Sequence, residues 1–94
     1  MSSITLKERL NRGETAVGTF QALPSAAVSE MAGLAGLDFV IIDQEHGPLT
    51  ATDSLPLCAA AQHGGSSPIV RVRENSMPEI QRALDIGAEG VQIP

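Results

Sequence analysis

The chain has 94 residues, a net charge of −5 from six basic and eleven acidic side chains, and only two aromatic residues. No lysine or arginine lies between Arg12 and Arg71, so the sequence lacks both the basic patch of a nucleic-acid-binding protein and a basic amphipathic membrane helix. The single cysteine, Cys58, cannot form an internal disulfide or a zinc site, and no apolar run is long enough for a signal peptide or a membrane span, so we expect a reduced, cytoplasmic, globular protein.

Strand and helix patterns alternate along the chain. Strands are predicted over residues 16–20, 39–42, 68–71 and 90–93. Helices are predicted to begin at Thr5, at Ser25, at Asp53 or Ser54, and at Ser76, and to end at glycines. The segment 39–42 (FVII) is apolar throughout, which predicts a strand buried on both faces, as in a parallel sheet.

Two of these helices carry more detailed predictions. In the second helix, an apolar stripe of Val28, Met31 and Ala35 predicts the face that packs against the rest of the protein. In the third helix, Pro56 is expected in the first turn, where a missing N–H is tolerated. For the fourth helix, Ser76 with Glu79 has the spacing of a capping box, as Thr5 and Glu8 have in the first.

The alternation of strands and helices predicts an α/β fold with a parallel sheet, either an open doubly wound sheet or a (β/α) barrel. The turn after the first strand, residues 21–24 (QALP), has no glycine-rich phosphate-binding motif, which disfavours the open nucleotide-binding sheet. Polar residues follow the second strand (43–46) and the third strand (71–75), where barrel enzymes place their chemistry. Because a complete barrel takes about 250 residues, we expect this chain to be the N-terminal half or less of one.

The segment Asp43-Gln44-Glu45-His46 is the most informative part of the sequence. A histidine beside two carboxylates, on a loop that leaves a buried strand, fits a general base. The same pattern fits equally well an ordinary exposed loop histidine, with Asp43 capping the end of the strand.

Two further charged residues carry alternatives of the same kind. Arg71 ends the third strand, where its planar guanidinium could bind a carboxylate or an enolate oxygen, or form a structural salt bridge to Asp43. Asp85 lies in the last turn of the fourth helix, where the helix dipole disfavours a carboxylate, and Arg82 on the same helix is a candidate partner. Cys58, in an alanine-rich helix, is expected to be a small buried hydrophobe.

Three ordered motifs give the chain a resemblance to a known family. They are residues 41–48 (IIDQEHGP), 68–72 (PIVRV) and 84–94 (LDIGAEGVQIP), with supporting matches at 18–20 and 34–39. At this spacing the chain resembles the HpcH/HpaI aldolase family, over essentially its whole length.

The resemblance implies a (β/α)8 barrel, of which residues 1–94 are the N-terminal half and a fragment that is inactive alone. It implies a metal-dependent aldolase that cleaves 4-hydroxy-2-oxo acids to pyruvate and an aldehyde, as a homo-oligomer that is typically hexameric. The cofactor would be a divalent metal (Mg, Mn or Co) with ligands beyond residue 94, and none within this chain. Lys7, the only lysine, lies in the leading helix, away from any strand end, so a Schiff-base mechanism is not expected on this segment.

By the same resemblance, His46 corresponds to the catalytic base, and Asp85 to the acid that pairs with that base. Arg71 corresponds to the arginine that binds the substrate and stabilises the pyruvate enolate, and Asp43 and Glu45 to supporting acids. Two alternatives stay open. One is a citryl or malyl thioester lyase of the same superfamily, and the other is a small α/β binding module without catalysis.

Overall fold

The computed structural model describes residues 4–94 as one parallel sheet with helices between its strands. The strands are β1 (Gly18–Gln21), β2 (Phe39–Asp43), β3 (Ser67–Arg71) and β4 (Gly90–Gln92). The helices are α1 (Leu6–Asn11), α2 (Ala26–Leu34), α3 (Ala51–Gly64) and α4 (Met77–Asp85). The strands pair in the order β1-β2-β3-β4, and all three pairings are parallel, so the predicted alternation and parallel sheet are confirmed.

The two faces of the sheet differ because successive strand residues point in opposite directions. One face packs against the helices and includes Val40, Ile42 and Val70, each 0% exposed. We call the opposite face the inner face. It includes Phe20, Ile41, Asp43, Ile69, Arg71 and Gln92. Cys58 lies in the core on the helix side, where burial raises the pKa of its thiol to about 11, which confirms its prediction as a buried hydrophobe.

The packing face of α2 differs from the prediction. Val28 and Met31 are 40% and 64% exposed, so the predicted apolar stripe is not the buried face. The buried residue of α2 is Ser29, whose hydroxyl donates to Gln21 Oε1 at 2.6 Å. Gly33, on the same helix, lies against Gly64 of α3. Small residues thus make the contact between α2 and α3, because they let the two backbones approach closely.

This close approach predicts a cost for any side chain at the contact. A Cβ added at Gly33 would lie 2.6 Å from the carbonyl carbon and oxygen of Gly64, and one at Gly64 would overlap the carbonyl of Glu30. We expect Gly33→Ala to lower the free energy of unfolding by about 1–3 kcal/mol, measured by urea denaturation. The matched control is Ala59→Ser, at an exposed position of α3, which should change it by less than about 0.5 kcal/mol. Equal stability of the two variants would contradict the close contact.

One predicted helix start and one predicted capping box are also corrected, whereas the predicted start of the fourth helix at Ser76 is confirmed. α3 begins at Ala51 with Thr50 as its cap, because Thr50 and Asp53 form a reciprocal capping box. Pro56 therefore lies inside the helix and not in its first turn. At the start of α4, Ser76 accepts a hydrogen bond from the Glu79 N–H, whereas the Glu79 carboxylate lies 3.9 Å from Arg82. Only half of that capping box forms, whereas the Thr5–Glu8 box of α1 is complete.

Among residues 4–94, no helix combines the length and the apolar character that crossing a membrane would require.

Candidate active site

The polar residues singled out in the sequence meet at the carboxyl edge of the sheet. β2 ends at Asp43 and β3 ends at Arg71, and these two residues are register partners on the inner face. The chain then turns from β2 into the loop that carries Glu45 and His46. Parallel pairing is therefore what brings these side chains together, across 28 positions of sequence.

Asp43 and Arg71 form a two-pronged ion pair. Arg71 Nε donates to Asp43 Oδ1 at 3.1 Å, and Nη2 donates to Oδ2 at 2.6 Å. Both side chains are largely buried, with 9% of Asp43 and 19% of Arg71 exposed. Asp43 Oδ1 also accepts the backbone N–H groups of Glu45 at 2.9 Å and His46 at 3.1 Å. Asp43 thus orients the arginine and holds the loop that carries the histidine.

These contacts favour the charged form of Asp43. The hydrogen bonds from Arg71, followed by the loop N–H groups, lower the pKa of Asp43 to about 2, against the opposing effect of burial. The same pair raises the pKa of Arg71. Because the folded-state pKa of Asp43 lies below its ordinary value of 3.8, the pair stabilises the fold above about pH 4 and loses that contribution as the pH falls toward 2.

This shift predicts an acid-sensitive part of the stability. Between pH 5 and pH 2, Asp43 should account for a loss of about 2 kcal/mol in the free energy of unfolding. Asp43→Asn should remove that part of the pH dependence, and an NMR titration should place the Asp43 carboxyl midpoint near 2. Glu74→Gln, at an exposed loop position, is the control for charge alone and should keep the dependence. An Asp43→Asn variant with the full acid sensitivity would contradict the role of the pair.

Glu45 connects the ion pair to His46. Its Oε1 lies 3.5 Å from Arg71 Nη1 and 3.4 Å from His46 Nε2. The His46 side chain is 70% exposed, whereas Glu45 is 26% exposed. The carboxylate is thus placed to orient the imidazole, and the imidazole remains accessible to a ligand.

Arg71 keeps donors that its protein partners do not use. A guanidinium has five N–H groups, and two of them bond to Asp43. The central carbon of the guanidinium, Cζ, lies 5.0 Å above the centre of the Phe20 ring. This cation–π arrangement fixes the plane of the guanidinium. An arginine held in this way at a strand end can bind an anionic oxygen, so the two alternatives for Arg71, salt bridge and anion contact, are compatible.

The structure does not bring Asp85 to this edge. Asp85 is the last residue of α4, which runs back from the carboxyl edge toward the start of β4. Gly87, two residues after Asp85, lies beside the end of α3, because its carbonyl accepts a hydrogen bond from the Gln62 side chain. Asp85 is exposed and lies at the opposite end of the sheet from His46, so the predicted pairing of these two residues is not formed within one chain.

Two contributors to the site were missed by the sequence analysis. Phe20 carries no polar group, and only its strand parity, which places it on the same face as Arg71, indicates that it belongs here. Gln44 is buried, donates through its side chain to Ser54 at 2.8 Å, and donates through its backbone N–H to the Arg71 carbonyl at 3.0 Å. Gln44 thus fixes the spacing of the two strand ends between which the ion pair forms.

The side chains of the site do not have the grouping that a metal ion requires. Within residues 4–94, no three His, Cys, Asp or Glu side chains are grouped closely enough to hold a metal ion. Both carboxylate oxygens of Asp43 already accept hydrogen bonds from Arg71, and Oδ1 accepts two more from the loop. Residues 4–94 therefore do not form a metal site by themselves.

Comparison with known proteins gives consistent results. A sequence profile described as HpcH/HpaI aldolase/citrate lyase matches residues 16–94. A 2-keto-3-deoxy-L-rhamnonate aldolase of Escherichia coli (strain K12) is 39% identical over 88 residues, which cover 94% of this chain and 33% of that protein.

Solved structures superpose closely on the chain. A citrate synthase, SbnG, matches with a TM-score of 0.89 and 37% identity, over 96% of this chain and 37% of its own. An HpcH/HpaI aldolase from Desulfitobacterium hafniense DCB-2 matches with a TM-score of 0.88 and 36% identity, over 98% of this chain and 36% of its own. The chain therefore spans about a third of the length of these relatives.

These matches also decide between the two parallel architectures. The related structures are (β/α)8 barrels, so the four strands here are the N-terminal portion of that fold, as predicted, and not an open nucleotide-binding sheet. The profile match over most of its length shows that the chain belongs to the HpcH/HpaI aldolase/citrate lyase family.

Proposed function

We propose that residues 1–94 are the N-terminal half of the barrel domain of a metal-dependent aldolase, which cleaves 4-hydroxy-2-oxo acids to pyruvate and an aldehyde. The observation that carries the proposal is the juxtaposition of Arg71 and His46 at the carboxyl edge, with Asp43 holding both. We call this chain followed by the remaining strands of its barrel the complete barrel. The family membership and the aldolase among its relatives support the reaction class.

In the cleavage direction, His46 takes the proton from the C4 hydroxyl of the substrate. The electron pair of that O–H bond forms the aldehyde carbonyl, the C3–C4 bond breaks, and its electrons form the enolate of pyruvate. A proton from solvent then adds to C3 of the enolate, and His46 releases its proton to solvent, which completes the formation of pyruvate and restores the base. The neighbouring Glu45 carboxylate, 3.4 Å away, orients the imidazole for this transfer.

Arg71 acts on the negative charge that develops at the C2 oxygen. Its unused N–H groups donate to that oxygen, while the Asp43 pair and the Phe20 ring keep the guanidinium in place. Donors that are held in position before the reaction stabilise a transition state without the cost of reorganising. This arrangement is the reason why an internal ion pair and a substrate contact can share one arginine.

A divalent metal (Mg, Mn or Co) is proposed as the cofactor of the complete barrel, where it would stabilise charge on the 2-oxo acid as a Lewis acid. Its ligands would lie beyond residue 94, because the described residues do not group three metal-binding side chains.

We place the enzyme in the cytoplasm, since the only cysteine is buried and has no disulfide partner in the chain.

Asp85 enters this proposal through a second copy of the chain. It is exposed at the amino edge of its own sheet, so Asp85 can pair with His46 only if it comes from a neighbouring subunit. We therefore propose that the enzyme is a homo-oligomer, a hexamer as in the family resemblance, in which one copy's Asp85 supports another copy's His46.

The reaction class is tested by product analysis on the complete barrel. It should release pyruvate from 4-hydroxy-2-oxo acids, followed with lactate dehydrogenase, and lose this activity after treatment with a chelator. The 94-residue chain alone should release none, because it lacks the metal ligands. Cleavage of acyl thioesters in place of the 2-oxo acids would instead support the thioester lyase, and activity with neither would support a binding module. Unchanged activity after chelation would contradict the metal.

A further inference from the structure

Gln92 carries a buried side-chain oxygen that has no hydrogen-bond partner. Within residues 4–94, Gln92 Oε1 is the only buried side-chain nitrogen or oxygen that forms no hydrogen bond. Buried polar groups are nearly always paired, because an unpaired one loses its hydrogen bonds to water without replacing them. An unpaired oxygen of this kind therefore needs an explanation, and a ligand is one of the few that apply.

The position of Gln92 places it beside the proposed active site. In the β3–β4 pairing, Gln92 is the register partner of Arg71, as Asp43 is on the other side. The neighbouring Val91 packs against the core on the helix side, so strand alternation puts Gln92 on the inner face. Asp43, Arg71 and Gln92 thus form one row across three strand ends, with about 4.8 Å between adjacent strands.

The neighbours of Gln92 do not satisfy it. The Arg71 guanidinium is turned toward Asp43 and Glu45, on the side away from β4. The backbone of the strand end is fixed, since the Gln92 carbonyl accepts the Val72 N–H at 3.2 Å. The carboxamide therefore lies beside Arg71 with a free acceptor, and rotation of its side chain toward a ligand breaks no hydrogen bond of Oε1.

We propose that Gln92 is a specificity-determining residue, which accepts a hydrogen bond from a hydroxyl group on C3 of a 2-oxo acid bound at Arg71. The inference rests on the proposed function, because it takes Arg71 as the contact for the 2-oxo group. A free acceptor oxygen calls for a donor on the ligand, and a carboxylate or a ketone offers none, whereas a hydroxyl does. C3 is adjacent to the carbon held by Arg71, within reach of the next strand.

The test compares two 2-oxo acids that differ only in this hydroxyl, pyruvate and 3-hydroxypyruvate. Each is titrated into the complete barrel and followed by calorimetry and by 15N NMR at the side chains of Arg71 and Gln92. We expect 3-hydroxypyruvate to bind about fivefold more tightly than pyruvate, in line with one neutral hydrogen bond, and to shift the Gln92 side-chain NH2 signals where pyruvate does not.

Substitutions separate a ligand contact from a structural role. Gln92→Leu should bring the two dissociation constants together and leave that of pyruvate within about twofold, because only the hydroxyl contact is lost. Gln92→Glu should keep the preference through its retained acceptor, while the added negative charge weakens both ligands. A preference that persists in Gln92→Leu, or that is absent from the unsubstituted chain although pyruvate binds, overturns the inference. Failure of pyruvate itself to perturb Arg71 would instead count against the proposed function.

Discussion

Replacing Arg71 with lysine should lower kcat of the complete barrel by at least about 10²-fold, even though the positive charge is kept. The reason is geometric. The guanidinium donates to Asp43 through two nitrogens and still has N–H groups for the enolate oxygen. An ammonium is a single point charge, which cannot bind Asp43 and the enolate oxygen in this geometry at the same time. The loss should appear in kcat more than in KM, because the charge on the C2 oxygen develops in the transition state.

The control for this variant is Arg73→Lys. Arg73 lies two residues further along, is exposed, and makes no contact with the Asp43 pair, so its replacement should leave kcat unchanged. Steady-state kinetics of pyruvate release, with circular dichroism to confirm folding, measures both variants. An Arg71→Lys enzyme that keeps more than a tenth of its kcat would contradict the enolate role of Arg71.

Replacing His46 with alanine should lower kcat by about 10²–10⁴-fold, the range expected when a general base is removed. Because the His46 side chain is 70% exposed and its ion pair is with the neighbouring Glu45, the variant should fold with nearly unchanged stability. His63→Ala is the matched control. That histidine is 78% exposed, is paired with Glu30 at 3.2 Å, and lies at the far end of α3, so its loss should leave the activity intact.

The source of the carboxylate that supports His46 can be determined with the same assay. If Asp85 acts from a second copy, the His46→Ala enzyme and the Asp85→Asn enzyme are each impaired. Mixed oligomers of the two variants then regain activity, because some of their sites combine an intact His46 from one copy with an intact Asp85 from another. If Glu45 of the same chain is the partner, Glu45→Gln is impaired and mixing restores nothing. An Asp85→Asn enzyme with full activity would contradict any role for Asp85 in the site.

Much of the fold could be predicted because the strands carry strong local signals. The apolar run of β2 and the capping pair of α1 specify their elements from adjacent residues alone. The packing of α2 could not be predicted in this way. Its large apolar residues point to solvent, and its contact with α3 depends on Gly33 meeting Gly64, 31 positions away, a match that hydrophobic periodicity does not reveal.

The candidate site, like the fold, could be predicted from the sequence only in part. Asp43 and Arg71 were both singled out because they follow apolar strands, and the parallel register joins them. The sequence left the choice between salt bridge and anion contact open, since it does not show how many guanidinium N–H groups the partner uses. Phe20 and Gln92 were not singled out, because what matters about them is the strand face that they share with Arg71.

The central claim is that Arg71 stabilises a pyruvate enolate at the carboxyl edge of the sheet. Enolate formation can be observed without any aldehyde, as exchange of the pyruvate C3 protons for deuterium, followed by 1H NMR of the complete barrel in D2O. We predict that the methyl signal of pyruvate decays with the unsubstituted enzyme and decays at least about 10²-fold more slowly with Arg71→Lys. Exchange at equal rates in both enzymes, or no exchange in an enzyme that still cleaves 4-hydroxy-2-oxo acids, would contradict this account.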